Sequence, residues 1–587
     1  MNLFATLILL LAISNTVTCK FICGNPDPTP LQHTIEVQQD NTVKRSAQPA
    51  SLKFYITYLD GFNQLQESQR IKTLVEDATR FWERALTVKN PGTGKQLVKR
   101  YCSDNIYYTV KENNSLYCVG SRCNRKATCG PLEVPDEYTA ECFEQHHGTL
   151  YRYYHNGSGI PANGYVLIVD AGYRGACSGS TAAYAGPCHM DPVTDRPNVG
   201  YVNLCPGQMD LSYPGGKSLP GIIIHEIGHA LGFLSNGFPF MRDSKGNPRT
   251  KRGPDNKPIY KDRNGNYLSS NNTVKMITRN WLSAAGKFTR TPGSFVTPKI
   301  LAFARKYFAC PNLDGVDLEN YNVIGAVGSH WEARLFQNEV LSPVILIDYS
   351  VSQLTLAFFD DSGWYNVNYK TAMRMEYGKG LGCNFATKSC FEYAEIQRRQ
   401  QKSFKPFCDD NRQATCKDTY SYGVCHIYTY PSGVPREDQF FKTPPYSSPY
   451  SAAYFGGDDP HRDFCPTQTY VSGLGDYTAT SFCTHTENIQ RSQTGTNYYL
   501  QTYGKNSICL NHRGKWIYST HYNLTLTDYL QGSCHKYECT RDKKLNVYFK
   551  SAKVSCQRSG EVQFSVRDGN VKLTGAIVCP NPKIFCK

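Results

Sequence analysis

The sequence predicts an α+β fold joined to a disulfide-stapled, β-rich module, and two patterns carry that expectation. Across the first half, strand-like alternation passes into a helical period and back into strands, and beyond about Phe391 cysteines recur every few to a few tens of residues among Tyr, Gly and Ser. A length of 587 residues suggests two to four domains, and 40% apolar against 19% charged residues allows a large core and excludes wholesale disorder. The 64 basic and 49 acidic residues leave a net charge of +15, but the basic pairs Lys99-Arg100, Lys251-Arg252 and Lys543-Lys544 are scattered. That excludes a nucleic-acid-binding arm.

The elements follow in order. Residues 1–19 hold an uncharged apolar run, Leu3 to Ile13, followed by Ser14, Asn15 and Thr16, the order of a secretory signal peptide. The run is too short to span a bilayer; no later run reaches membrane length, and the tail Pro582 to Lys587 is neither a stop-transfer helix nor a GPI signal. An extracellular or secreted protein is expected, and 24 cysteines suit an oxidising compartment. Asn113, Asn156, Asn271 and Asn523 each sit in an Asn-x-Ser/Thr acceptor for glycan.

Residues 20–49 lack periodicity, contain Lys44-Arg45 and read as a pro-segment. Leu52 to Ile56 alternates like a strand, and Gln69 to Val88 repeats apolar residues at helical spacing. After a Cys-dense stretch, Cys102 to Cys142, the runs Tyr165 to Val169 and Val199 to Val202 read as strands. A helix then begins at Ser218, its N-cap, with Pro220 in the first turn, while Asn236 to Asn272 reads as a loop-like insertion.

The chemistry sits on that helix. Gly221 to Phe233 reads G-I-I-I-H-E-I-G-H-A-L-G-F, which puts His225 and His229 on one face a turn apart, close enough to hold one metal ion. Glu226 beside them can act as general base, taking a proton from water that zinc acidifies to a pKa of about 7. By accident this motif should occur on the order of once per hundred such chains. A catalytic zinc wants three protein ligands and one open position, so a third ligand is required. Gly232 lets the helix end as the extended H-E-x-x-H-x-x-G-x-x-H motif requires, but the next ligand position is Ser235, so the ligand must come from further along the chain.

From about Ser51 to Cys390 the chain resembles the leishmanolysin-like zinc metalloproteases, a metzincin branch with a domain inserted between the helix-ending glycine and the third histidine. Four blocks carry the resemblance: His225 to Phe233, Cys310 to Asn320, Gly328-Ser329-His330-Trp331-Glu332-Ala333-Arg334, and Leu354 to Tyr365 with Cys383 and Cys390 beyond. It implies that His330 is the third ligand, and that Leu341 stands where the family has the methionine of the turn beneath the metal. Leu keeps the volume but lacks the thioether. Cys23-Gly24-Asn25-Pro26-Asp27 is similar to the cysteine switch of pro-metalloproteases, in which a thiolate fills the open zinc position.

The implied organisation is a signal at 1–19, a pro-segment at 20–49, an N-terminal catalytic subdomain at 50–235 and an inserted region at 236–329. The third ligand and Met-turn-like segment fall at 330–390, and a Cys-rich C-terminal module at 391–587. The expected activity is that of a secreted zinc metalloendopeptidase acting on extracellular polypeptides extended along an edge strand, with Val199 to Val202 the candidate strand. The alternative is a catalytically silent adhesion protein at the cell surface that keeps the fold.

Overall fold

A computed structural model describes residues 21–23, 32–33, 35–37 and 48–586, apart from 93, 105–107, 110–115, 173–175, 178, 322–326, 412–413, 471–479, 489–495 and 527–529. The signal-like run, Cys19, Lys44-Arg45 and Asn113 lie outside the described residues. No helix among the described residues is long and apolar enough to cross a membrane.

Three short strands come first: β1 (Phe21–Cys23), β2 (Gln32–His33) and β3 (Ile35–Val37). They are followed by β4 (Lys53–Tyr58), α1 (Ser68–Ala85), β5 (Lys95–Leu97), β6 (Gly164–Ala171), β7 (Thr181–Met190), β8 (Pro197–Leu204) and α2 (Leu219–Ala230). Further on come α3 (Pro298–Phe308), β9 (Val344–Ile345), α4 (Gln353–Asp361) and α5 (Cys390–Arg399).

The main sheet runs β9-β1-β7-β8-β6-β4, with β2 also on β7. Strands β4, β6 and β8 are parallel, β7 is antiparallel to β8, and every residue of β6 and β8 is buried. Those continuous apolar runs follow from cover on both faces. On one face Leu167, Val169, Ala185 and Val202 pack with Ile71, Val75 and Trp82 of α1 and Ile223, Ile227 and Ala230 of α2. On the other, Val166, Ile168, Val199 and Tyr201 pack with Leu132, Val134 and the Cys129–Cys188 disulfide. The Trp82 indole donates to the Ile224 carbonyl at 3.2 Å and so ties α1 to α2.

Two sequence expectations change here. Val199 to Val202 lies in β8, hydrogen-bonded to strands on both sides, so it is not an edge. The next strand, β7, carries β1 and β2 on its other side. Ser218 does not cap α2 with its side chain: it has helical dihedrals, and its hydroxyl donates backwards to the Gly215 carbonyl at 2.7 Å. A preceding 3-10 turn, Gly215–Lys217, has already consumed that hydroxyl.

Within Asn236 to Asn272 the chain forms three tight loops closed by bridges at Arg242 and Pro248, Arg252 and Pro258, and Lys261 and Tyr267. The Asp243, Asp255 and Asp262 carboxylates each accept backbone N–H groups inside their own loop. The C-terminal part is β-rich. Its main sheet comprises β10 (Ser507–Ser519), β11 (Gly532–Cys539), β12 (Leu545–Phe549), β13 (Ala552–Cys556), β14 (Gly560–Asp568) and β15 (Val571–Cys579), ordered β13-β12-β11-β10-β15-β14 and wholly antiparallel.

All 22 cysteines from Cys102 to Cys586 pair in 11 disulfides, and Cys23 is a free thiol. Cys390–Cys465 joins α5 to the C-terminal part, and Cys310–Cys383 closes a loop of chain around His330 and Leu341.

Candidate metal centre

Helix α2 buries Ile223, Ile227 and Ala230 against the sheet, and it must stop where it does. Gly232 has φ +114°, and a Cβ there would lie 2.7 Å from the Trp364 ring. Only glycine fits that backbone and that space. Gly228, on the side facing the turn below, leaves room for Leu341, whose methyl would be 3.1 Å from an added Cβ.

His225 and His229 project from this helix with Nε2 atoms 2.9 Å apart, and His330 brings its Nε2 to 3.2 Å from that of His229. All three rings are fully buried. His330 arrives from a separate segment held by backbone pairing on both sides: its carbonyl accepts from Glu319 N–H at 2.9 Å, and Trp331 N–H donates to the Leu341 carbonyl at 2.9 Å. The turn of residues 339–342 reaches back to the helix, where the Val340 carbonyl lies 2.5 Å from His225 Nδ1. The Phe233 carbonyl lies 2.6 Å from His229 Nδ1. A carbonyl can only accept, so both Nδ1 atoms carry the proton and both Nε2 atoms present lone pairs.

The His225 and His229 lone pairs are buried and face one another, and they repel unless a cation lies between them. Burial holds the His225 imidazole well below its usual range, with His229 adding to the effect, and lowers His229 to about 4, so neither ring is protonated near neutral pH. Neutral imidazoles are what a divalent metal requires. The Cys23 sulfur completes the set: it and the three histidine nitrogens lie within 4.8 Å of one another. Three nitrogens and a sulfur within reach of one ion fit zinc better than the oxygen-seeking cations.

Glu226 is buried, with Oε2 3.9 Å from Cys23 Sγ. Burial raises its carboxyl to about 8, and burial together with the neighbouring Glu226 pushes the Cys23 thiol up. The thiol reaches this point because β1 is built into the sheet: Ile22 pairs with Thr181 and Cys23 with Ala183, parallel to β7, while Phe21 and Ile22 pair antiparallel with Ile345 and Val344 of β9. Of the glycan acceptors, Asn156, Asn271 and Asn523 are exposed.

Sequence reasoning did not find β7 or β9. Thr181-Ala182-Ala183-Tyr184-Ala185-Gly186-Pro187 is too rich in small residues, and too close to a proline, to announce a strand. The Val340 and Phe233 carbonyls left no signal at all, since any residue supplies one.

A family model described as leishmanolysin matches residues 149–587. The chain is 29% identical over 541 residues to a leishmanolysin-like peptidase of Caenorhabditis elegans, covering 88% of this chain and 79% of that protein. With the leishmanolysin-like peptidase of Drosophila melanogaster it shares 29% over 554 residues, 91% of this chain and 80% of the other. Leishmanolysin of Leishmania major is 24% identical over 340 residues, 58% of this chain and 44% of its own length.

Proposed function

Since the chain belongs to the leishmanolysin family of metallopeptidases, we propose that it is a zinc endopeptidase with His225, His229 and His330 as ligands and Glu226 as general base. The observation that carries this reading is the convergence of three buried imidazoles, two of them tied through Nδ1 to carbonyls, beside one buried carboxyl. Bound there, zinc supplies Lewis acidity toward a carbonyl and acidifies water. Glu226 takes the proton of the attacking water on a carboxylate oxygen and delivers it to the departing amine.

The substrate lies extended in the groove that β1 occupies, between β7 and β9, once the pro-segment has left. Strand addition to β7 gives sequence-tolerant main-chain affinity, and the antiparallel sense, opposite to β1, forms the stronger ladder. Cys23 is the switch: its sulfur sits with the three nitrogens and occupies the place the reacting water needs. The region 236–329 is an insertion that returns the chain to His330, and 391–587 a module that extends the substrate-binding face. The 11 disulfides support export, with glycan at Asn156, Asn271 and Asn523 and, outside the described residues, at Asn113.

The test is casein hydrolysis by the pro-segment-free protein beside Glu226→Ala, with zinc determined on both. Turnover by the native protein, its loss in the variant and about one zinc in each is the expected result. Full zinc with no turnover on casein or a broad peptide library would overturn the reading in favour of a binding protein.

A further inference from the structure

Glu339 is a buried carboxyl with no place in the chemistry proposed above, yet it opens the turn under the three histidines. It stands one peptide from the Val340 carbonyl that meets His225 Nδ1. Its Oε1 accepts from the Thr355 hydroxyl and, at 3.4 Å, from the Ser352 N–H. Both donors belong to the start of α4, where Ser352 is also the N-cap, its own hydroxyl accepting from Leu354 N–H at 3.0 Å. Burial raises the carboxyl to about 7 in spite of these donors. A carboxyl so placed costs folding free energy that an apolar side chain of similar size would not.

The same hydroxyl is reached from the third histidine. Trp331, next to His330 and fully buried, donates its indole N–H to Thr355 Oγ1 at 3.1 Å. An indole N–H can only donate, so Thr355 accepts there and its single proton is left for Glu339. The direction of each bond is thereby fixed, from Trp331 to Thr355 and from Thr355 to Glu339. The main chain joins the same two segments a second time: Trp331 N–H donates to the Leu341 carbonyl at 2.9 Å, while Val340 N–H donates to the Ser350 carbonyl at 2.8 Å. Those backbone bonds set where the turn lies but leave it free to pivot about the 331–341 pair. The Glu339 side chain ties the leading residue of the turn to α4 and removes that freedom. Metal ligation needs it removed, since an imidazole must be held to within about 0.5 Å and 10–20° of its working position.

We propose that Glu339 and Thr355 are positioning residues, which hold the Val340 carbonyl against His225 and Trp331 beside His330 so that imidazoles from two distant segments meet one metal ion. The inference rests on the zinc reading above. Both residues act through neighbours, Val340 and Trp331, and not at the metal itself.

The experiment uses the full chain and zinc alone, titrated against a chelator of known affinity. The visible absorption of the cobalt(II)-substituted chain reports ligand geometry, and the thermal midpoint of the metal-free chain reports folding. Glu339→Gln keeps an accepting oxygen and Thr355→Ser keeps the hydroxyl, so both should bind zinc as the native chain does. Glu339→Met and Thr355→Val remove those groups with little change in shape, and each should weaken zinc binding by about tenfold or more and alter the cobalt spectrum. The metal-free midpoint should stay near the native one in both, so that affinity moves where stability does not. Native affinity and spectrum in both variants would overturn the proposal, and so would failure of both to fold or a loss of zinc only in step with a lowered midpoint, since the pair would then be structural. Zinc bound and weakened as expected, but without casein turnover by the processed native chain, would remove the peptidase reading alone. A native chain that takes up no zinc would remove both.

Discussion

A methyl of Leu341 lies against the α-carbon of Gly228, 3.1 Å from where a Cβ would stand, so the turn under the three histidines and the helix that carries two of them are in direct contact. The same turn presents the Val340 carbonyl to His225. Leu341 is fully buried, and Leu→Met is a volume-conserving exchange that typically costs less than about 1.5 kcal/mol. Leu341→Met should therefore retain full zinc content and shift the denaturation midpoint only slightly; loss of zinc would show that the leucine shape, and not merely its volume, sets the site.

Gly232→Ala should be far more damaging. The φ of +114° disfavours any side chain, and the new Cβ would run into Trp364, which is itself buried. A loss of about 2–4 kcal/mol is expected from strain and overpacking together. Denaturant unfolding measures it, and a loss below about 1 kcal/mol would mean that the helix end relaxes without cost.

Latency is testable at a single atom. Cys23→Ala in the full chain removes the sulfur and leaves β1 paired with β7 and β9. If the thiol is the block, this variant hydrolyses casein before any processing, while the native chain does so only after the pro-segment is cleaved. A variant as silent as the native precursor would assign latency to the strand and not to the sulfur.

Acid should loosen the C-terminal sheet. His512 and His535, on neighbouring strands, lie 2.6 and 2.7 Å from the one Ser533 hydroxyl, and burial lowers both to about 3. Their folded values are depressed, so below an unfolded value near 6.5 the unfolded chain takes up protons that the native state refuses. The stability they contribute is complete above pH 6.5 and falls as pH drops toward 3. Between pH 7 and pH 5 each histidine should cost about 2 kcal/mol. Amide exchange in β10 and β11 measures this, and a His512→Asn, His535→Asn variant should lose most of the pH dependence; an unchanged slope would place it elsewhere.

The parts that could be read from residues alone were those with a local period. His225, Glu226 and His229 share one helical turn, and Leu52 to Ile56, Gln69 to Val88 and Tyr165 to Val169 lie inside elements whose ends differ by a few residues. His330 stands 101 residues from His229, and no spacing rule bridges that distance; only the resemblance singled it out. The order of strands was not legible, because burial on both faces gives β6 and β8 the same apolar signature as any other interior strand. The misassigned edge follows from that, as does the missed place of β1: a three-residue strand carries no pattern and exists only because β7 and β9 offer it hydrogen bonds.

Insertion of β1 would carry a consequence for the proposed activation. Were residues 20–49 excised as proposed, the outer side of β7 from Thr181 to Met190 would become a row of unpaired amides and carbonyls beside the three histidines, open to any extended chain. The excised peptide competes for that row with the first substrates, so newly processed enzyme should start slowly at high protein concentration and speed up on dilution or as the fragment is itself degraded. Maturation is then a concentration-dependent handover of one strand position, and not simply the cutting of a bond.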